Sequence, residues 1–304
     1  MSLPRASAGG SIPLATMWAM GAAIGWASMA VVVRYLEGRV PSWDISFYRA
    51  LTALLVGVGP MLWQKGRSIA ALLPRLDLFT AYLVRGFVIF TAQAMYYHAL
   101  MHIPLADATV LNATAPIFSV FMAIVMLREN VGIDRWLLVL LGFAGVVVII
   151  RPGYETVPFE ALLALGSAAL FALSAILNKR LVLIESGTSI VYGTNFFVAL
   201  CGLVVVLGWG VKPTWADLGI VALIGVTGAF AQYCMTQSLL QADVSFVSPF
   251  EFMRVPLVAF AAWILFDQVP PLIFALGATM IFLSVFLLAR RAARRPAPVP
   301  RAAE

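Results

Sequence analysis

The chain alternates between long apolar runs and short stretches that are rich in charge, proline or glycine. Ten runs can be distinguished, and most come close to the roughly 20 residues that a helix needs to cross the hydrocarbon core of a bilayer. The pattern predicts an all-α polytopic membrane protein with ten transmembrane helices. Numbered along the chain, these helices cover residues 13–33, 45–63, 78–100, 105–127, 135–150, 159–178, 189–209, 217–240, 244–266 and 271–289.

The composition supports the same class of protein. Of the 304 residues, 62% are apolar and only 11% are charged. In ordinary soluble domains about a quarter of the residues are charged and about half are apolar. The composition therefore excludes a water-soluble, secreted, fibrous or disordered chain.

Lysine and arginine are distributed unevenly between alternate loops. If the N-terminus lies in the cytoplasm, about 13 of them fall on the cytoplasmic side and about four on the other side. Cytoplasmic loops of membrane proteins carry such an excess of positive charge. We therefore predict a multi-pass protein of a bacterial-type inner membrane with both termini in the cytoplasm. The basic tail, 291–304, is expected to contact anionic lipid.

Residues that could hold a metal or a cofactor are scarce. Cys201 and Cys234 both lie inside apolar runs, where a thiol behaves as a small hydrophobe. His98 and His102 are four residues apart and are compatible with a metal pair or a proton relay, but their place at the end of helix 3 favours solvated interface histidines. There is no Walker lysine motif. We expect no cofactor, no metal, no nucleic-acid partner and no enzymatic activity.

The two halves of the chain resemble each other. Gln93 and Gln232 are about 139 residues apart, and Pro116 and Pro256 about 140, in the same order within matching apolar runs. Because each half has an odd number of helices, the second must enter the membrane from the opposite face, which makes the repeat inverted. One chain can then complete a site alone, and a dimer is compatible with this. The predicted units are 1–150, 154–290 and the tail 291–304.

Short motifs in both halves carry a family resemblance. The stretch SFYRA at 46–50 resembles the phenylalanine-x-arginine signature of EamA-type transporters in the drug/metabolite transporter superfamily. Pro116 followed by an apolar run that ends in Leu127-Arg128-Glu129 is similar to the same family. The second half repeats this pattern from Pro256, but Gln268 stands where the family usually has glutamate. The resemblance implies two five-helix units and export of amino acids or related metabolites.

Helix 9 contains the strongest candidate for a substrate site. Glu251 is the only carboxylate well inside a predicted span, and Arg254 follows on the same helix face. Arg254 would bind an anionic group of the substrate, while Glu251 would hold an ammonium group or carry a proton. Alternatively, the two side chains form an ion pair that only positions helix 9.

Other polar groups lie at similar depth. Gln93 and Gln232 either read polar substrate groups or tie helices together. Pro116 and Pro256 interrupt helices 4 and 9 at corresponding places, which indicates either cavity-lining breaks or simple kinks. Arg49 lies near the outer end of helix 2, where it can snorkel to the surface, and we assign it a structural or gating role. The remaining candidate substrate ligands are Asn112, Tyr97 and Trp26.

These features predict a secondary transporter that moves a small metabolite, an amino acid or a related compound, by alternating access through a central cavity between the repeats. Efflux is the direction that the resemblance implies. Protons, an exchanged solute or the substrate gradient would supply the driving force. An intramembrane enzyme and a channel-like facilitator are the alternatives, since side chains distant in sequence can still meet in space.

Overall fold

The computed structural model describes residues 12–63, 78–127, 133–150, 158–181, 187–241 and 248–293. Within these ranges the chain forms eleven α-helices, one 3-10 helix and no strand, which confirms the predicted all-α class. Of the predicted basic tail, 291–304, only 291–293 fall within the described residues, as the end of the last helix. The helices are α1 Ile12–Arg34, α2 Ser42–Trp63, α3 Phe79–His102, α4a Leu105–Asn112, α4b Ala115–Leu127, α5 Ile133–Ile150, α6 Phe159–Leu181, α7 Gly187–Trp209, α8 Trp215–Gln241, α9 Arg254–Phe266 and α10 Leu272–Ala293. They make up ten segments, because α4a and α4b form the fourth and the 3-10 helix and α9 form the ninth.

The outer surface of the bundle is strongly apolar. Leu207, Trp215 and Leu272 are among many large apolar side chains that are mostly exposed, as expected where lipid rather than water surrounds a protein. By length and composition, five segments within the described ranges can cross a membrane, and three shorter helices are also apolar. The protein is a multi-pass membrane protein. The five segments are Ile12–Arg34, Leu105–Met122, Phe159–Asn178, Ser189–Trp209 and Trp215–Ser238.

The fourth and ninth segments are both interrupted. The turn at Ala113 and Thr114 separates α4a from α4b, and Pro116 is the second residue of α4b. In the ninth segment a 3-10 helix, Ser248–Met253, precedes α9, of which Pro256 is the third residue. Proline lacks a backbone N–H and fits only the first turn of a helix without disruption. The prolines therefore explain why neither segment is one continuous helix.

The packing of the first five helices is repeated by the last five. Matching α1–α5 with α6–α10, the extensive contact of α1 with α8 corresponds to that of α6 with α3. The contact of α2 with α8 likewise corresponds to that of α7 with α3, and the matched pairs α2/α7 and α5/α10 pack on each other. Such a pattern is what two structurally related units produce.

Small residues allow the two halves to approach closely. A Cβ atom added at Gly25 of α1 would lie 2.9 Å from Cβ of Ala231 in α8, and one added at Gly21 would lie 3.2 Å from Sγ of Cys234. Close contact through small residues is a common way for membrane helices to associate. The glycines of α1 therefore fix the spacing of α1 and α8.

The connections 35–41, 103–104, 210–214 and 267–271 meet at one end of the bundle, which we call the short-loop end. Our topology prediction places this end outside the cell. Several contacts join the two halves here. They are the ion pair of Arg39 with Asp217 (3.1 Å), the hydrogen bond from Val211 N–H to Asp44 Oδ2 (2.9 Å), the hydrogen bond from Leu105 N–H to Gln268 Oε1 (3.0 Å), and the ring contact of Tyr35 with Phe266 (5.2 Å between centroids).

Arg34 strengthens the same end from within the first half. Its Nη1 atom donates hydrogen bonds to the carbonyl oxygens of Leu100 (3.1 Å) and Ile103 (3.2 Å), and also to that of Met101. These carbonyls belong to the last turn of α3 and to the residue after it, where backbone acceptors lack helical partners. Arg34 therefore caps α3 and ties it to the end of α1.

Candidate functional site

A central cavity of about 620 Å³ lies between the two halves. Its volume falls within the range that is usual for small-molecule sites, roughly 300–1,000 Å³. Both halves of the chain contribute side chains to its wall. The lining residues with polar or aromatic character are Trp26, Arg49, Gln93, Tyr96, Tyr97, Asn112, Ser119, Phe171, Gln232, Phe252 and Arg254.

Most of the residues singled out in the sequence meet in this one cavity. They come from α1, α2, α3, the α4 break, α8 and α9. Glu251 has its backbone in the 3-10 helix, but its side chain lies outside the described part of the chain. The predicted residues that line the cavity are Trp26, Arg49, Gln93, Tyr97, Asn112, Pro116, Gln232 and Arg254.

Of the two prolines, Pro116 lines the central cavity and Pro256 does not. Pro256 lines a separate and smaller pocket of about 220 Å³, between α4a, α9 and α10. Arg254 and Pro256 are two residues apart on α9, so their side chains point about 200° apart around the helix axis. Because Arg254 faces the central cavity, Pro256 faces away from it.

A chain of hydrogen bonds holds the guanidinium group of Arg254. Its Nη2 atom donates to Oδ1 of Asn112 (3.2 Å), and Nδ2 of Asn112 donates to Oγ of Ser167 in α6 (2.8 Å). The Ser167 hydroxyl in turn donates to the carbonyl oxygen of Ala164 (2.6 Å). The chain links α9 to the α4 break and to α6. Asn112 is therefore a support for Arg254 as well as a part of the cavity wall.

Several polar atoms at the cavity have no hydrogen-bond partner within the described residues. They are Nε of Arg254, Nε and Nη1 of Arg49, and Oε1 of Gln93, all of them buried. Most buried polar groups in proteins are hydrogen-bonded, and an unpartnered charge is costly. These atoms therefore retain unused hydrogen-bonding capacity at the cavity wall.

Arg49, which could have snorkelled towards the outer surface, instead points inwards. Its side chain lines the central cavity and lies against Gly228 of α8, where an added Cβ would be 3.5 Å from Nε. An added Cβ at Gly225 would lie 2.5 Å from Cβ of Thr52, so glycine lets α2 and α8 approach here. Because α2 and α8 lie this close together, the Arg49 side chain extends along α8 into the cavity and not to the surface.

Both ionic groups that line the cavity in the described part of the chain are guanidinium groups, Arg49 and Arg254. Arg85, the third arginine of the apolar segments, instead donates to the hydroxyl of Thr194 in α7, away from the cavity. The described wall is therefore electropositive, and it favours an anionic ligand.

The two histidines do not reach the cavity. His98 and His102 stack on each other, with ring centroids 4.1 Å apart, in the last turns of α3. Among the described side chains, no three His, Cys, Asp or Glu residues lie close enough together to hold a metal ion.

Sequence reasoning missed Ser119 in the cavity wall and Ser167 behind Asn112. Each is a single small hydroxyl in an apolar run, which usually bonds to its own helix, as Ser119 does with the carbonyl of Ala115 (3.1 Å). The sequence of α6 contained one weak signal, the spacing of two helical turns between Ser167 and Ser174. In the structure both side chains are buried. The partner of Ser167 is far away in sequence, so the pairing itself left no local pattern.

Comparison with known proteins gives concordant matches over most of the chain. A model of the EamA-like transporter family matches residues 13–151 and 158–290. The riboflavin transporter of Rhizobium johnstonii is 30% identical over 92% of this chain and 92% of its own length. The S-adenosylmethionine uptake transporter of Rickettsia prowazekii is 24% identical over 83% of this chain and 84% of its own. A solved crystal structure covers 93% of this chain and 99% of its own with a TM-score of 0.62 at 19% identity, so it shares the fold.

Proposed function

The chain belongs to the EamA-like transporter family and is a small-molecule membrane transporter, and we propose that it moves a small metabolite bearing a carboxylate, an amino acid or a related compound, across the inner membrane. One observation carries this proposal: the Arg254 guanidinium lines a cavity of suitable size, and its Nε atom has no hydrogen-bond partner among the described residues. Guanidinium and carboxylate groups fit each other through charge-assisted hydrogen bonds, often two in parallel.

The surroundings of Arg254 suit a binding role. Because the guanidinium is planar and Asn112 holds one of its nitrogens, its orientation is set before a ligand arrives. The amides of Gln93 and Gln232 and the rings of Trp26 and Tyr97 complete the proposed substrate wall. We assign Glu251 the proposed task of holding a substrate ammonium group or carrying a proton.

The proposed mechanism is alternating access between two inverted five-helix units. The cavity is built from both halves, and the short-loop end above it is bridged by contacts between them. Opening towards that end requires these contacts to break, so we propose that they form the outer gate. The interruptions before Pro116 and Pro256 would serve as hinges. A single chain contains the whole cavity, so a monomer suffices.

Counterflow in proteoliposomes tests the proposal. Purified protein is reconstituted, loaded with unlabelled solute and supplied with labelled solute outside, for a panel of amino acids together with riboflavin, S-adenosylmethionine, purines and sugars. We expect saturable counterflow of a carboxylate-bearing solute. A panel in which riboflavin or a sugar exchanges and no carboxylate does would contradict the proposal.

Variants and direction complete the experiment. Arg254→Ala should abolish the exchange, whereas Arg85→Lys, a change at an arginine outside the cavity, should preserve it.

The direction of transport needs a separate measurement. The family resemblance implies efflux, while one named relative is an uptake transporter. Net flux measured from inside-loaded and outside-loaded vesicles assigns the direction. Flux that rises linearly with concentration, with no stimulation by solute on the opposite side, would indicate a channel-like facilitator instead.

A further inference from the structure

The two arginines that line the cavity come from different halves of the chain, and we call their guanidinium groups the two positive poles. Arg254 lies on α9 in the second half and is fixed by Asn112, whereas Arg49 lies on α2 in the first half and rests against Gly228. Neither takes part in an ion pair among the described residues. Each keeps at least one buried guanidinium nitrogen that has no hydrogen-bond partner in the described part of the chain.

Both groups are guanidinium cations, and no described carboxylate forms an ion pair with either of them. An arginine side chain does not lose its proton in a protein, so burial cannot remove the charge as it can for lysine. Among the described residues no carboxylate pairs with either cation, so an anion that enters the cavity would offset the cost of burying them. One monoanion can neutralise only one of the two poles.

We infer that the cavity recognises a small organic dianion, such as a dicarboxylic amino acid, with one anionic group at Arg254 and the other at Arg49. This inference rests on the proposed transport of carboxylate-bearing solutes and narrows their class. The unpartnered Oε1 atom of Gln93 adds an acceptor for an N–H group of the same substrate. Arg49 is then a specificity-determining residue that distinguishes a diacid from its monoamide.

Acid and amide pairs of equal size provide the sharpest test. Glutamate with glutamine, aspartate with asparagine, and succinate with succinamate differ by one charge and hardly at all in shape. In counterflow with the wild-type protein, we expect the diacid of at least one pair to have a KM at least tenfold lower than that of its amide. Equal KM values within every transported pair would overturn the inference and leave carboxylate transport standing. Transport of no carboxylate at all would overturn both.

Substitutions at the two poles should have different signatures. Arg49→Gln should raise the KM of the diacid about tenfold towards that of the amide and leave the KM of the amide within about twofold. Arg254→Gln should raise the KM of both. Arg49→Lys, which keeps the charge, should keep the preference for the diacid and so separates the loss of charge from an effect on folding. Arg85→Lys is the control outside the cavity.

A variant of Glu251 tests whether this carboxylate neutralises one of the two guanidinium groups. A Glu251 carboxylate that neutralised one of the guanidinium groups would make the wild-type protein favour the monoacid. Preference for the amides in the wild type, converted to preference for the diacids by Glu251→Gln, would overturn the inference. A preference for the diacid in both proteins would support it.

Discussion

The side-chain amide of Asn112 can take only one orientation in its surroundings. Arginine has hydrogen-bond donors and no acceptor, so the amide oxygen must face Arg254 and the amide nitrogen must face Ser167. The oxygen and the nitrogen of this buried amide both form hydrogen bonds, and these bonds hold the guanidinium group in a fixed position. A neutral amide does this without cancelling the positive charge that the cavity presents.

Asn112→Asp should retain the fold and weaken substrate binding. An aspartate at this position keeps an oxygen for Arg254, but its negative charge competes with the anionic group of the substrate. We expect the KM of the transported carboxylate to rise about tenfold, equal to about 1.4 kcal/mol, with the thermal unfolding temperature maintained. The two quantities are measured by counterflow and by thermal unfolding in detergent.

A double substitution supplies the control for this prediction. In an Arg254→Gln background, where the KM is raised but exchange is still measured, the Asn112→Asp change should raise the KM much less than tenfold, because the guanidinium that it acts on is gone. An equal loss of binding in both backgrounds would show that Asn112 acts independently of Arg254.

The helix contacts of α1 depend on the absence of side chains. Gly25→Ala places a methyl group 2.9 Å from Cβ and 3.1 Å from Cα of Ala231, and backbone atoms cannot move aside easily. We expect a destabilisation of about 1–3 kcal/mol, which is typical of overpacking. The measurement is thermal unfolding of the purified variant.

Gly219 is the matched control in α8. An added Cβ there meets nothing within 4 Å, so Gly219→Ala should be neutral or slightly stabilising because alanine favours the helix. If the two variants unfolded at the same temperature, the close approach of α1 and α8 would not be the source of stability.

The start of α4a depends on Gln268 for an acceptor. Gln268→Leu should cost about 1 kcal/mol, because the Leu105 N–H group loses the side-chain oxygen that caps this helix. Gln268→Glu keeps an oxygen and should unfold at or above the wild-type temperature. Equal losses for the two variants would exclude the capping role.

The elements were predictable because membrane helices leave a strong local signal. Runs of apolar residues were sufficient to place ten helices, and the prolines marked where two segments are interrupted. In the described part of the predicted ninth helix, 248–266, the α-helix begins at Arg254, because Pro249 and Pro256 limit regular helix before that residue. Arg49 could not be placed correctly, since its long side chain reaches either the surface or the cavity. The choice depends on glycines of α8 that are far away in sequence.

At the scale of the whole molecule, the proposed outer gate is held by several modest contacts. Arg39 is 46% exposed, so its ion pair with Asp217 contributes about 0.2–1 kcal/mol and is screened by salt. Arg39→Ala should therefore shift the equilibrium towards an open short-loop end by up to about fivefold. A gate made of weak contacts can be opened by the binding energy of a small substrate.

Spin labels at the exposed positions Trp43 and Trp215 would report this opening, because they begin α2 and α8 on opposite sides of the interface between halves. Arg39→Ala should increase the population with the longer distance, and high salt should do the same in the unsubstituted protein. Arg85 lies away from the gate, so Arg85→Lys should leave the distances between the two labels unchanged. A distribution that neither change affects would remove this ion pair from the gate.

The packing of Cys234 against Gly21 makes the reactivity of this thiol a measure of how often α1 and α8 separate. The thiol is fully buried where α1 and α8 touch, and Cys201 in α7 is only partly buried. Modification of Cys234 by a maleimide should therefore require that α1 and α8 separate. Modification of the partly exposed Cys201 should not require this separation. Mass spectrometry of the two native cysteines over time would convert this contact into an opening rate for the unmodified chain.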